Sequence, residues 1–312
     1  MTKHKRLPKT ILALLIAAAF VVAYILSGNL APIDSAERSY SVYASCYPVY
    51  ALSSLILKDV PGIRLFQLTQ PTARGLGDYA LSDWDCAILS HADVVITLGG
   101  GYEAFANELL SGSSICITLQ SALPLMSLPQ DTIVYGSNSE ERAPVPWLHL
   151  SAEGAMELCE ALCANMCTTD EACASMYIAN LNACYDQLSA MQTTAQDTKA
   201  LRGVNVALMH EALLYPASDA GANIVYSIDC KEAQALLPQE LSEVIDQMHS
   251  ANAQAVLVDR FCDPALVQAL TAASLPVIRL DLMCDMDPSY GAQGYFDAFY
   301  NNLKAIEAFA DE

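Results

Sequence analysis

Short buried-type strands alternate with helical segments along most of the chain, and this order restricts the fold more than any other feature. The first series of strand-like runs spans residues 40–46, 64–68, 92–98 and 114–119. The second spans 204–209, 223–228, 255–259 and 277–281. Helices are predicted between them over 51–58, 82–90 and 102–110, then over 233–237, 239–250 and 264–273, with a last helix over 294–310. Ser82 is a suitable N-cap, with Asp83 and Asp85 in the first turn, where negative charge suits the helix dipole. Repeated strand–helix units imply parallel sheets with helices on both faces.

Between the two series lies a stretch, 151–200, that is almost wholly helical in pattern. Thr168-Thr169-Asp170 interrupts it and starts a second helix. From Asp170 to Thr194 there is no Gly or Pro. A helix of that length is about 37 Å long at 1.5 Å per residue. The expected fold is therefore α/β, with two lobes, each a mostly parallel four-stranded sheet flanked by helices, joined by one long backbone helix. The expected division is an N-terminal signal or anchor over 1–35, a first lobe over 36–167, the linking helix over 168–200 and a second lobe over 201–312. The segment 120–143, with Pro124, Pro129 and Gly136, is read as loop.

The N-terminus carries Lys3, His4, Lys5, Arg6 and Lys9, followed by an apolar run over 11–26. That layout resembles a secretory signal more than a full membrane span. Leu26-Ser27-Gly28-Asn29 resembles a bacterial lipoprotein box, but Asn29 stands where the lipidated Cys belongs. The expectation is an extracytoplasmic body, secreted or tethered to the membrane through this segment. The chain has 15 Lys and Arg against 35 Asp and Glu, a net charge of −20. This excludes a nucleic-acid partner, which needs clustered basic residues, and it raises the local concentration of cations. Eleven cysteines leave at least one without an intramolecular partner. Cys159, Cys163 and Cys167 recur every four residues and share a helix face. They read as small packing residues, with a thiolate metal site as the alternative.

One residue stands out as a candidate for binding. His210 ends the strand over 204–209 and leads into a helical start. Ligands bind at the carboxyl ends of strands in open α/β sheets, although a loop His that merely hydrogen-bonds is the plainer reading. Gly99-Gly100-Gly101 follows a strand but fits neither GxGxxG nor a Walker loop. No Ser–His–Asp order, P-loop or Cys-x-x-Cys is present. His210-Glu211 is half of a zincin motif, with Leu214 where the second His belongs. The chain reads as a binding protein, not an enzyme.

Several local strings, taken in order, resemble the solute-binding proteins of zinc- and manganese-type ABC transporters. They are Ser45-Cys46-Tyr47-Pro48-Val49-Tyr50; Ser90-His91-Ala92-Asp93-Val94-Val95 with Gly99 and Glu103; Pro144-Val145-Pro146-Trp147-Leu148; Tyr177 and Asn180 with Leu188; His210-Glu211-Ala212 with Tyr215; and Leu280-Asp281. The resemblance implies a metal held by three His and a carboxylate between the lobes. Carried over by position, the first His falls at Gly77 and the second at Val145, whereas His210 and Asp281 match the third His and the carboxylate. Two ligands are too few for a tight zinc site. His149 and Asp78 are the candidates to supplement them, and Glu211, Cys46 and Asp83 also lie near the expected cleft. His149 otherwise reads as a polar residue capping the helix that starts at Ser151, and His91 and His249 carry no assignment. The implied function is capture of zinc or manganese as cargo, with no organic cofactor, by a monomer that delivers the ion to a membrane permease. The alternative is a module of the same fold that has lost metal binding and takes an organic ligand, a metal chelate or a protein partner. Gly75 and Gly77 would let such a larger ligand approach the backbone.

Overall fold

The computed structural model describes residues 39–70, 75–105, 109, 114–137 and 141–310. The segment 1–35, expected to be a signal or anchor, lies outside the described residues. Among the described residues no helix is long and apolar enough to cross a membrane.

The first sheet has the order β2 (Ile63–Gln67), β1 (Tyr40–Ala44), β3 (Val94–Thr97), β4 (Ile115–Thr118), all parallel. Helix α1 (Tyr47–Ile56) follows β1 and α2 (Asp83–Leu89) precedes β3. Ser82 caps α2 as expected. Its hydroxyl accepts the Asp85 N–H at 3.2 Å, and the Asp85 carboxylate accepts the Ser82 N–H at 2.8 Å, a reciprocal capping box. The helix expected from Tyr102 does not start there. Residues 102–105 form turns, with a bridge between Leu76 and Glu103. The buried Glu103 carboxylate accepts the N–H groups of Leu98 at 2.7 Å and Gly99 at 2.8 Å and the Ser45 hydroxyl at 2.7 Å. It closes the glycine turn after β3 and fastens it to the end of β1.

The second sheet has the order β5 (Ile133–Val134), β7 (Asn223–Ser227), β6 (Asn205–Leu208), β8 (Ala255–Asp259), β9 (Val277–Leu280), again all parallel. The expected two-lobe α/β architecture is present, and this sheet has a fifth strand beyond the four anticipated. β5 comes from the segment read as loop. It is only two residues long, and polar tethers hold it in place. Thr132 donates its hydroxyl to the Ile224 carbonyl at 2.8 Å, and Arg142 donates to the Thr132 carbonyl at 2.8 Å.

Helices α5 (Leu214–Asp219), α6 (Cys230–Ala235), α7 (Pro238–Ser250) and α8 (Pro264–Ala272) fill the second series, after α3 (Ala152–Thr169) and the long α4 (Ala174–Thr198). Side chains on a strand alternate between faces. Val206, Leu208, Ala255 and Leu257 accordingly join one large core, while Ala207, Val256 and Val258 join a smaller one with Val244 and Met248 of α7 and Leu266 and Leu270 of α8.

The large core does not stop at a lobe boundary. It contains Val42 and Ile96 of the first sheet, Leu158 and Leu162 of α3, Leu208 of the second sheet, and Tyr295 and Phe299 of the last helix, α9 (Gly291–Ala310). The 25-residue α4 is packed along α3 and α1 and is not a free strut. The Asn180 side chain donates to the carbonyls of Ile56 at 2.9 Å and Lys58 at 2.7 Å. These groups lie at the C-terminal end of α1, where carbonyls lack helical partners. α1 in turn packs against α9, where the Tyr47 hydroxyl donates to the Gly291 carbonyl at 2.8 Å.

Gly294 permits this approach, because a Cβ there would lie 2.6 Å from the Tyr47 oxygen and 2.6 Å from Tyr290 Cβ. Gly294→Ala is expected to destabilise the protein by about 1–3 kcal/mol, despite the better helix propensity of Ala. Gly77→Ala, where a Cβ meets nothing within 4 Å, is expected to stay within about 0.5 kcal/mol of the parent. Denaturant unfolding of both variants checks this, and equal midpoints for the two would contradict it.

Candidate metal and ligand site

Strands of a parallel sheet end along one edge, so residues just beyond them are brought together. His210 follows β6, Asp229 comes shortly after β7 and Phe261 comes shortly after β8. These three line a cleft of about 860 Å³. The first lobe contributes Gly75, Gly77, Asp78 and Tyr79 from the segment after β2, and Tyr102 from the turn after β3. Trp147 joins the two sides. Its ring lies 5.0 Å from that of His210, 4.9 Å from Tyr102 and 5.7 Å from His149. Gly75, at φ +79°, makes room for it, since a Cβ there would come within 2.7 Å of the indole.

His210 is held by its own backbone. Its Nδ1 accepts the Ala212 N–H at 3.1 Å and so caps the short turn Glu211–Leu213. An imidazole whose Nδ1 accepts a hydrogen bond keeps its proton on Nε2 when neutral. A metal-ligating His usually has the opposite arrangement, with the second ring nitrogen donating to a carbonyl or carboxylate. Binding a metal through Nε2 would require His210 to move this proton to Nδ1 and give up the Ala212 hydrogen bond. Beside it, burial raises the pKa of Glu211, and the charge of Asp229 raises it further. Glu211, Asp229, Glu232 and Asp78 make the cleft wall acidic.

Asp281 has a partner of another kind. Its Oδ2 accepts from Arg260 at 2.8 Å and its Oδ1 accepts the Met283 N–H at 2.7 Å. Arg260 also pairs with Asp285. Burial raises the pKa of Asp281, against the lowering effect of the Met283 N–H and Arg260. Asp281 is not among the residues lining the cleft. His149 is fully buried, behind Trp147. Its Nε2–H donates to the Leu282 carbonyl at 3.3 Å, and its Nδ1 has no partner among the described residues. The structure thus brings His210 and Asp78 to one cleft and sets Asp281 and His149 outside its lining.

The sequence profile of the ZnuA family, described as zinc-uptake complex component A, periplasmic, matches residues 42–309. The chain belongs to that family. Solved structures agree in fold. The solute-binding protein FpvC of Pseudomonas aeruginosa in complex with Mn2+ superposes with a TM-score of 0.72 at 19% identity, covering 88% of this chain and 99% of that one. The Zn(II)-bound ZnuA-like domain of Streptococcus pneumoniae AdcA gives 0.69 at 17% identity, covering 88% and 100%. The metal-dependent lipoprotein YcdH of Bacillus subtilis gives 0.67 at 16%, covering 86% and 98%. Comparison with curated proteins gives no match.

Within this ZnuA-family chain, the two positions expected to carry the missing histidines have different surroundings. Gly77 lines the cleft beside open space. Val145 is buried in the core, its N–H bonded to the Met126 carbonyl at 2.7 Å and its carbonyl to the Tyr215 hydroxyl at 2.7 Å. Among the described residues no three His, Cys, Asp or Glu side chains converge as a metal would require. Cys46 is buried with its pKa pushed up to about 12, first by burial and then by the charge of Glu103, so it stays a thiol. Asp83 sits in the first turn of α2 and does not line the cleft. Cys159 and Cys163 pack in the large core together with Cys184 of α4.

Asp229, Glu232, Tyr135, Phe261 and Arg260 were not signalled by the sequence reading. Asp229, Arg260 and Phe261 stand just beyond strands β7 and β8, which is the signal that would have found them. Tyr135 follows β5, the strand that was read as loop.

Burial pulls the pKa of His149 down to about 4 from 6.5. Between these two values the unfolded chain binds more protons than the folded one, so stability falls as pH drops through that window. The loss is roughly 3 kcal/mol at the low end. His149→Leu is expected to remove this part of the acid slope in denaturant unfolding measured across that pH range. An unchanged slope would show that the group is not buried as neutral imidazole.

Proposed function

We propose that this ZnuA-family protein is the extracytoplasmic solute-binding component of an ABC-type uptake system for a transition metal, zinc or manganese, and that it passes its cargo to a membrane permease. The observation that carries this reading is the acidic cleft at the carboxyl edge of the second sheet, with His210 and Trp147 on its wall. The action is capture and not chemistry. His210 contacts the cargo and Asp78, Glu211 and Asp229 supply negative charge. His149 serves as a buried support for Trp147, and Asp281 is available to cargo only when Arg260 releases it. The lobes over 36–167 and 201–312, with the helix over 168–200 between them, act as one body that closes only slightly. Their shared core would have to be broken for a large hinge motion. The segment 1–35 directs the chain out of the cytoplasm and tethers it to the membrane, and the protein works as a monomer.

A host lacking this chain is expected to accumulate less zinc or manganese under chelator-imposed limitation. The parent protein should restore uptake and His210→Ala should restore it several-fold less well. Normal levels of both metals in the deletion strain would sink the reading.

A further inference from the structure

Three features of the cleft do not suit a bare ion. The first is size. A hydrated divalent ion with six waters occupies on the order of 200 Å³, at about 30 Å³ per water, whereas the cleft measures about 860 Å³. Volumes of that order hold organic molecules. The position of the first lost histidine adds to this space, since nothing stands within 4 Å of where a Gly77 Cβ would be.

The second feature is the donor set. No three metal-ligating side chains converge among the described residues. His210 spends Nδ1 on the Ala212 N–H, and the guanidinium of Arg260 already neutralises Asp281 and Asp285. The coordination that zinc or manganese needs therefore has to arrive with the cargo.

The third feature is the wall. Tyr79, Tyr135, Trp147 and Phe261 present aromatic surface to the cleft. Aqueous ions gain little from such surface, but flat organic groups and cationic complexes gain stacking and cation–π contact. Asp78, Glu211, Asp229 and Glu232 add negative charge, and among the described residues no Lys or Arg lines the cleft.

We propose that the cargo is a divalent metal already enclosed in an organic chelator, cationic overall and bearing flat aromatic or conjugated surface. This rests on the metal-uptake reading above and names its substrate class. The chelator supplies the metal's ligands. The protein supplies the aromatic walls and the carboxylates that select positive charge.

Calorimetry on the purified chain, with four probes, tests the assignment. The probes are nickel ion alone, the cationic nickel bis-terpyridine complex, the anionic nickel nitrilotriacetate complex, and terpyridine alone. The cationic complex is expected to bind at least about tenfold more tightly than each of the others, a difference of about 1.4 kcal/mol. The paired change Asp229→Asn with Glu232→Gln is expected to reduce that preference several-fold while leaving the unfolding midpoint unchanged. Equal or tighter binding of the nickel ion alone would overturn the chelate proposal and leave the metal-uptake reading standing. Equal binding of metal-free terpyridine would overturn it in favour of an organic cargo. Binding by none of the four would also overturn it, and the uptake phenotype of the deletion strain then decides separately whether the metal-uptake reading survives.

Discussion

One continuous apolar core beneath both sheets underlies the rest of the structure. A parallel sheet exposes two faces that must be covered, and here α1, α3, α4 and α9 cover the inner faces of both sheets together. Tyr47, Tyr295 and Phe296 are fully or almost fully buried where α1 meets α9. The two carboxyl edges are therefore held at a set distance, and the space left between them is the cleft. Dispersion and burial act over many contacts at once, so this spacing resists change more than a joint made of one or two strands would.

Polar groups then fix details that packing leaves open. Glu103 holds the glycine turn beside β3, Asn180 closes the end of α1, and the Tyr295 hydroxyl donates to the His149 carbonyl. Each satisfies backbone groups that would otherwise be buried without partners, which would cost more than the bond itself yields. Arg260 belongs with them. It sits on two carboxylates at the end of β9 and supplies internally a positive charge that a metal would otherwise bring to Asp281. The cleft wall carries Asp78, Glu211, Asp229 and Glu232; burial raises the pKa of Glu211, and the charge of Asp229 raises it further.

The fold was largely legible. Strands such as β8 are runs of apolar β-formers whose period of two places Ala255 and Leu257 on one face and Val256 and Val258 on the other. Where the reading failed, local pattern was weak. β5 is two residues between Pro129 and Gly136, and its place is set by Thr132 and Arg142 reaching across the chain. The helix expected from Tyr102 does not begin there, because Glu103 is drawn into the turn that follows β3. His210 was placed near the cleft from its position at a strand end and Asp78 from the family resemblance, and both line it. The engagement of Asp281 by Arg260 was not, because the two are separated by a helix and a strand and meet only at the sheet edge.

The sequence by itself determined the class of fold, the two β–α series and the long helix. These are properties of residue type and periodicity, which do not depend on distant partners. Only the tertiary structure decided what the remaining candidates can do. It turned the Nδ1 of His210 toward its own backbone, buried His149 behind Trp147, gave Asp281 a guanidinium for company and set four carboxylates and five aromatic rings around one cleft. The physical reason is that hydrogen bonding, charge pairing and desolvation depend on which side chains meet in space, and here those meetings join residues far apart in the chain.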